Sequence, residues 1–451
     1  MIEWFTSLTD WLGAHPQWLG AAIFLIACIE CLAIAGILVP GVVLLFTVSV
    51  LAGGGALPLG TTLLLAYSGG LLGDLISYGL GRRFHQNIRR LPGLRQHPEW
   101  IGNAELYFLR YGVISLLLGR FIGPLRPMLP MTAGMLDMPF PRFATVSLLA
   151  AAGWALAYIL PGWMTGAALR LPLPEGFWRE AAVVAAGLSL LVILCAYQCL
   201  HERRRTTLLA AGASLVLLLG LFIGWPHLIH FDQGLLSLVQ TQRTPAMDAA
   251  MVLITRLGDL STQLAAGILL FGLLLLSRQW RAALFAGTAL LGTAVANSLL
   301  KHLFARMRPE VLVEPLNSFS FPSGHSSAAF AFFLVLGVLA GRGQPARLRL
   351  TWLLLASLPA LTIALSRVYL GVHWPSDILA GALLAGALCA SSLLLVQRER
   401  VLNALAPRTW WLLLPGCLAL LGSIATWALP EATQLYRYEP ALPAVQQQVN
   451  E

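Results

Sequence analysis

Apolar runs close to the length of a bilayer crossing recur along this chain, at about residues 58–80, 145–168, 181–200, 207–225, 262–277, 282–300, 326–341, 350–366, 375–396 and 410–429. A helix needs about 20 such residues to cross hydrocarbon. Inside lipid the backbone N–H and C=O groups of each run must be satisfied within the segment itself, which dictates helices. Charged residues make up 11% of the chain, against roughly 25% in soluble domains. The sequence therefore predicts an all-α polytopic membrane protein. Met1–Trp4 and the residues after them carry no basic n-region, so the amino end is expected to be retained rather than cleaved as a signal peptide.

The net charge of +9 would suit a nucleic-acid partner if it were gathered on one face. Instead the arginines sit in short connections between apolar runs: Arg82 to Arg95, Arg203 to Arg205, Arg278 with Arg281, Arg342 to Arg349, and Arg398 with Arg400. That is the pattern of cytoplasmic loops, and nucleic acid is not expected as a partner. The six cysteines, Cys28, Cys31, Cys195, Cys199, Cys389 and Cys417, all lie in apolar stretches and are expected to pack as small hydrophobes. The polar break at His201–Thr206 separates long apolar runs and predicts a cytoplasmic linker. It divides the chain into 1–200, a linker at 201–206, a second domain at 207–400, and an extra transmembrane helix with a polar, mobile tail at 401–451.

Lys301 is the only lysine of the chain. It opens Lys301-His302-Leu303-Phe304-Ala305-Arg306-Met307-Arg308-Pro309; Pro322-Ser323-Gly324-His325 follows, then Ser366-Arg367, His373 and Asp377. Counting crossings from arginine-rich 278–281 places all three segments on the non-cytoplasmic face. Each residue type has a task in cleaving a phosphate ester. Lys301, Arg308 and Arg367 can neutralise phosphate oxygens, the arginines through bidentate forks. Ser323 and the backbone N–H of Gly324 can donate further bonds at a helix start, where anions are favoured. His373 and Asp377 stand one helical turn apart, so the carboxylate can hold one imidazole nitrogen protonated while the other attacks phosphorus. His325 can protonate the departing oxygen. Three cationic side chains make a metal unnecessary, and neither a metal nor another cofactor is expected. His302 and Arg306 are expected to be interfacial bystanders, and His227, His230 and Asp232 a solvated outer loop.

These segments resemble the type-2 phosphatidic acid phosphatase superfamily, whose pattern is K-x6-R-P, P-S-G-H and S-R-x5-H-x3-D; the resemblance covers roughly residues 207–396. It implies a six-helix bundle, a phosphohistidine formed at His373, an acid at His325, and phosphate binding by Lys301, Arg308, Ser323, Gly324 and Arg367. Vanadium haloperoxidases share the fold, but peroxide and halide need no bilayer, whereas a lipid phosphate does.

The first half reads differently. Residues 19–56 are broken by Glu30, Gly36 and Pro40-Gly41, and residues 112–138 by Arg120, Gly123-Pro124, Arg126-Pro127 and Pro130. Breakers inside apolar runs predict re-entrant hairpins. With no Lys or Arg in residues 1–18 and many Arg in 82–110, the two hairpins are expected to enter from opposite faces as an inverted repeat around a transport site. Arg120 and Arg126 could hold a lipid phosphate, and Glu30 could carry a proton. The alternative is that Glu30 pairs with an arginine and merely neutralises it. Asp74 is expected to pair with an arginine or to cap a helix. This half resembles the DedA family over roughly residues 15–170, through Glu30, Pro40-Gly41, Gly73-Asp74, Tyr78, Gly81-Arg82, Tyr111-Gly112, Arg120-Phe121 and Arg126. The resemblance implies movement of polyprenyl or other phospholipids between leaflets, often proton-dependent. Val42 stands where relatives often carry a second acid, which weakens the case for proton coupling.

Joined, the halves predict a bacterial inner-membrane lipid phosphatase whose site faces the periplasm or exterior, coupled to translocation of a lipid phosphate, with undecaprenyl diphosphate the leading candidate. Phosphatidylglycerophosphate, phosphatidic acid and lipid A phosphates would fit the same pocket. A transporter with a silent phosphatase-like half, or a phosphatase with the first half as anchor, are the competing readings.

Overall fold

The structure is a computed structural model; it describes residues 11–437 except 34, 86, 88–97, 121–125, 202–203, 314–315, 317, 399 and 428. Gly123-Pro124, Phe121, Arg89, Arg90 and Arg95 of the Arg82 to Arg95 cluster, Arg203, the first ten residues and the Gln-rich end of the tail lie outside the described residues. Among those described, nine helices are long and apolar enough to cross a membrane, or ten if the pair Pro245–Arg256 and Leu260–Leu276, bent by 44° at its break, is one span. By packing, the chain divides into two compact units, Met1–Leu173 and Pro174–Glu451.

In the first unit, α1 (Leu19–Cys31) and α2 (Gly41–Leu51) pack on each other, joined through a single turn at Ala35–Leu38. The long α3 (Leu59–Phe84) follows, then α4 (Pro98–Tyr111), α5 (Val113–Gly119), α6 (Met128–Met135) and the long α7 (Phe140–Arg170). Each broken segment precedes a long helix, and the arms cross over: α2 packs against α7, while α6 packs against α3. Small residues make both contacts close. A Cβ on Gly166 would strike the Val50 carbonyl, and one on Gly81 the Met131 carbonyl. Interfaces of this kind suit lipid, where close van der Waals packing holds helices together.

The second unit contains α8 (Phe177–His201), α9 (Arg204–Gly224), α10 (Ile229–Gln240), α11 (Pro245–Arg256), α12 (Leu260–Leu276), α13 (Trp280–Phe304), α14 (Gly324–Gly341), α15 (Ala346–Tyr369), α16 (Pro375–Val396), α17 (Pro407–Thr426) and the short α18 (Leu429–Leu435). Helix α16 is central, packing against α9, α13 and α14. One core gathers Leu270, Phe285, Phe332, Leu393 and Leu413 from α12, α13, α14, α16 and α17.

Two expectations change. Helix α8 packs on α9 and α10, so the division falls after Leu173 rather than at 201–206. The charged break at 201–206 is the louder signal in sequence, but it separates two helices of one unit. The tail is also ordered further than its polarity suggests: α18 runs through Pro430 to Leu435, and Ala432 and Tyr436 are buried beside Leu370 and Val372.

Described cysteines are free; Cys28, Cys31, Cys389 and Cys417 are buried, while the Cys199 side chain lies outside the described residues.

Candidate active site

The three motif segments of the second unit meet at one end of its bundle. Lys301 is in the last turn of α13, Ser323 and Gly324 start α14, Arg367 is in the last turn of α15, and Asp377 is in the first turn of α16. The opposite end carries arginines: Arg281 donates to the carbonyl of Val396 at 2.6 Å and to that of Val401 at 3.2 Å.

Local sequence sets each position. Pro375 starts α16, where its missing N–H is no loss. Gly371, at φ 71°, turns the chain between α15 and α16. A Cβ there would stand 2.5 Å from Val311, so both the turn and the packing require glycine. Ser323 caps α14: its Oγ accepts from Ser326 N at 3.4 Å, and its own N–H donates to the Asp377 carbonyl at 3.0 Å. That bond ties the start of α14 to the start of α16.

His373 is buried between a carboxylate and a guanidinium. Its Nδ1–H donates to Asp377 Oδ2 at 3.2 Å, and Arg308 Nη1 donates to its Nε2 at 3.1 Å. Burial, then the charges of Arg308, Arg367 and Lys301, push this imidazole well below its usual range. The neutral ring is the nucleophilic form. Arg308 is further fixed by Ser318, through its carbonyl at 2.7 Å and Oγ at 2.8 Å, and by the Val372 carbonyl at 2.6 Å. Burial and the Arg367 charge push Arg308 down to about 10, so it stays cationic at neutral pH. Lys301 Nζ donates to the Phe319 carbonyl at 2.5 Å. A Cβ on Gly324 would lie 3.7 Å from Lys301 Cε and 3.4 Å from Asn297 Oδ1, so the lysine stem passes beside the helix start. Arg367 is almost fully buried, donates to Thr255 Oγ1 at 2.9 Å and Tyr436 Oη at 2.8 Å, and keeps its Nε without a partner among the described residues. An open pocket of about 600 Å³ lies alongside, lined by Lys301, His302, Arg308, Glu310, Leu316 and Phe319 among others. No group of three His, Cys, Asp or Glu with metal-binding placement occurs among the described residues.

Two expectations are corrected. Arg306 is no interfacial bystander: it is buried, and it donates to Asp377 Oδ1 at 2.8 Å, Ser376 Oγ at 2.7 Å and Asp232 Oδ2 at 2.7 Å. Its guanidinium lies 4.5 Å from the Trp225 ring centre. Asp232 is likewise buried rather than in a solvated loop, and accepts from Ser376 N at 2.8 Å and Ser376 Oγ at 2.6 Å. Arg306 therefore braces the carboxylate that braces His373. His230 of the same stretch contacts Glu180 through Nδ1 at 2.7 Å. Sequence reasoning also missed Asp259, whose Oδ1 is 2.9 Å from His325 Nε2. No spacing signals it, because the partners come from different helix starts; its place beside an apolar run is the one available hint.

In the first unit the charges meet inside the packed core. Glu30 pairs with Arg126, and Asp74 pairs with Arg120, all four being buried. Ser147 Oγ donates to Asp74 Oδ2 at 2.5 Å, and Arg126 Nε to the Arg120 carbonyl at 2.9 Å. Trp154 lies 5.1 Å from the Arg120 guanidinium and 5.7 Å from that of Arg126. A Cβ on Gly41 would collide with the Glu30 side chain. Gly41 thus leaves the space in which the carboxylate sits. Glu30 Oε2 and Arg120 Nε have no partner among the described residues.

The comparisons with known proteins follow this division. Residues 39–164 match the VTT domain model, and residues 282–401 match the PAP2 superfamily model. The inner membrane protein YabI of Escherichia coli is 37% identical over 151 residues, which is 34% of this chain and 59% of YabI. Protein DedA of Escherichia coli is 25% identical over 162 residues, 35% of this chain and 74% of DedA. The chain thus spans well under two thirds of YabI. A crystal structure of a transmembrane PAP2-type phosphatidylglycerolphosphate phosphatase from Bacillus subtilis is similar at 26% identity and a TM-score of 0.37, covering 42% of this chain and 94% of that one. This multi-pass membrane chain belongs to the VTT/DedA family through its first half and carries a PAP2 superfamily domain in its second.

Proposed function

We propose that the second half is a metal-independent lipid phosphatase working through a phosphohistidine at His373. The observation that carries this reading is the pairing at that residue: Asp377 on Nδ1, Arg308 on Nε2. A phosphate oxygen is a better acceptor for Arg308 than an imidazole nitrogen is. As substrate enters, the guanidinium turns to the phosphate and the Nε2 lone pair is released toward phosphorus. Lys301, Arg367, Ser323 and the Gly324 N–H gather around the transferring oxygens, where their charge is worth most in the transition state. His325 protonates the leaving oxygen and then takes a proton from the water that hydrolyses the phosphohistidine.

The substrate is a lipid phosphate or diphosphate presented at the non-cytoplasmic face of a bacterial inner membrane. Undecaprenyl diphosphate is the preferred candidate because the VTT/DedA half gives the product a reason to be moved. On this reading Glu30, Arg120 and Arg126 handle the lipid phosphate during translocation, with protons as the candidate coupling partner. The deciding experiment follows phosphate release by the detergent-solubilised chain from undecaprenyl diphosphate, phosphatidylglycerophosphate and phosphatidic acid, with chelator present. Chelator-resistant release that vanishes in His373→Ala supports the phosphatase and ranks its lipids. No release from any lipid shifts the weight to a transporter with a silent phosphatase-like half.

A further inference from the structure

His325 has a partner that lies outside its motif. Asp259 precedes α12 at the position where an aspartate ordinarily turns its carboxylate back onto the first free N–H groups of the helix. It makes no such capping bond. Its Oδ1 lies 2.9 Å from His325 Nε2 instead. Gly258 makes the approach possible: a Cβ there would stand 3.2 Å from both Cβ and Cδ2 of His325, and 2.6 Å from Cγ2 of Ile363. An ionised carboxylate accepts and cannot donate, so Nε2 carries the proton of this pair and Nδ1 is the nitrogen left to exchange one.

We propose that Asp259 is the positioning residue of the general acid, holding His325 by Nε2–H so that Nδ1 performs both proton transfers. The inference rests on the phosphatase reading and deepens it. Each histidine then has its own carboxylate, Asp377 for the nucleophile and Asp259 for the acid. In the first step the His373 Nε2 lone pair forms the N–P bond as the P–O bond to the leaving group breaks. The departing oxygen keeps that bond's electron pair and takes the proton from His325 Nδ1. In the second step a water oxygen bonds to phosphorus, the N–P electron pair returns to His373, and a water proton passes to His325 Nδ1. The ring alternates between cation and neutral form, and the Asp259 carboxylate stabilises the cation while keeping the ring from turning over.

The test compares a leaving group that needs a proton with one that does not, using the full chain in detergent. Phosphatidic acid releases an alkoxide, whereas p-nitrophenyl phosphate releases a stable anion. For Asp259→Asn, steady-state release from phosphatidic acid should fall about 10–100-fold. With p-nitrophenyl phosphate the first step should survive, giving a burst of nitrophenolate of one equivalent per site before slow water attack. Asp259→Glu should restore part of the lipid rate, which a merely structural loss would not allow. Unchanged rates in Asp259→Asn, or equal losses on both substrates with no burst and no rescue by Asp259→Glu, overturn the inference and leave the phosphatase standing. If the wild-type chain releases phosphate from neither of these nor from undecaprenyl diphosphate or phosphatidylglycerophosphate, the phosphatase reading falls and this inference falls with it.

Discussion

A histidine of ordinary basicity would be largely protonated at about pH 6 and so unable to attack phosphorus. His373 is placed to avoid this. Burial and the three nearby cations disfavour its charged form, so its protonation is displaced to lower pH and the neutral ring persists as the medium acidifies. The expected outcome is a kcat/KM profile whose acidic limb, as far as it reports the free nucleophile, lies below the usual imidazole range. A limb centred in that range would contradict the assignment. His373→Ala should lower phosphate release by about 10³-fold or more and abolish labelling of the protein by radioactive phosphate, since on the proposed mechanism the covalent intermediate forms on His373. Much of this site was legible in the sequence because His373 and Asp377 sit one helical turn apart, and Lys301 is unique in the chain. Asp259 and Tyr436 were not legible. Each reaches its partner, His325 or Arg367, across more than 60 residues of chain, and only the folded bundle brings them together.

At the scale of elements, α10, α13 and α16 are joined through one guanidinium. Arg306, just beyond the end of α13, bridges Asp232 of α10 and Asp377 of α16. Removing it would leave two buried carboxylates facing each other without a cation. For Arg306→Ala the loss of stability should be about 3–5 kcal/mol, read as a lower unfolding midpoint in detergent, with phosphate release lost as well. Arg306→Lys should recover little, because an ammonium cannot span Asp232, Ser376 and Asp377 at once. An Arg306→Ala protein with an unchanged midpoint would show that the three helices are held by apolar packing alone. The sequence made the helices visible through their apolar runs, yet it made Arg306 look like an interfacial anchor. A charged residue at a helix end reads the same way in sequence whether it faces the headgroups or turns inward. Charge likewise drew the boundary toward 201–206, whereas packing set it after Leu173.

Over the whole molecule, the question is whether the first half acts or only anchors, and its buried ion pairs allow the two to be separated. An ion pair kept only for structure can be exchanged for apolar residues of similar volume with little loss, or with a gain of about 1–4 kcal/mol. Breaking one partner alone leaves an uncompensated buried charge and destabilises by about 3–5 kcal/mol. Glu30 and Arg126 form such a pair, with Glu30 Oε2 still unpartnered. In the full chain, Arg126→Met alone should therefore lower the unfolding midpoint, and Glu30→Met with Arg126→Met should restore it. If the pair handles lipid phosphate, the double variant should release phosphate in detergent like the wild type yet fail to transfer the lipid between leaflets of a vesicle and fail to support growth in cells that depend on the chain. A double variant that folds, hydrolyses and sustains growth would reduce the first half to an anchor. The outcome discriminates because the two proposed activities are read separately: on the proposed reading His373 governs release and Glu30 with Arg126 governs movement, so a loss confined to one readout assigns the role to one half.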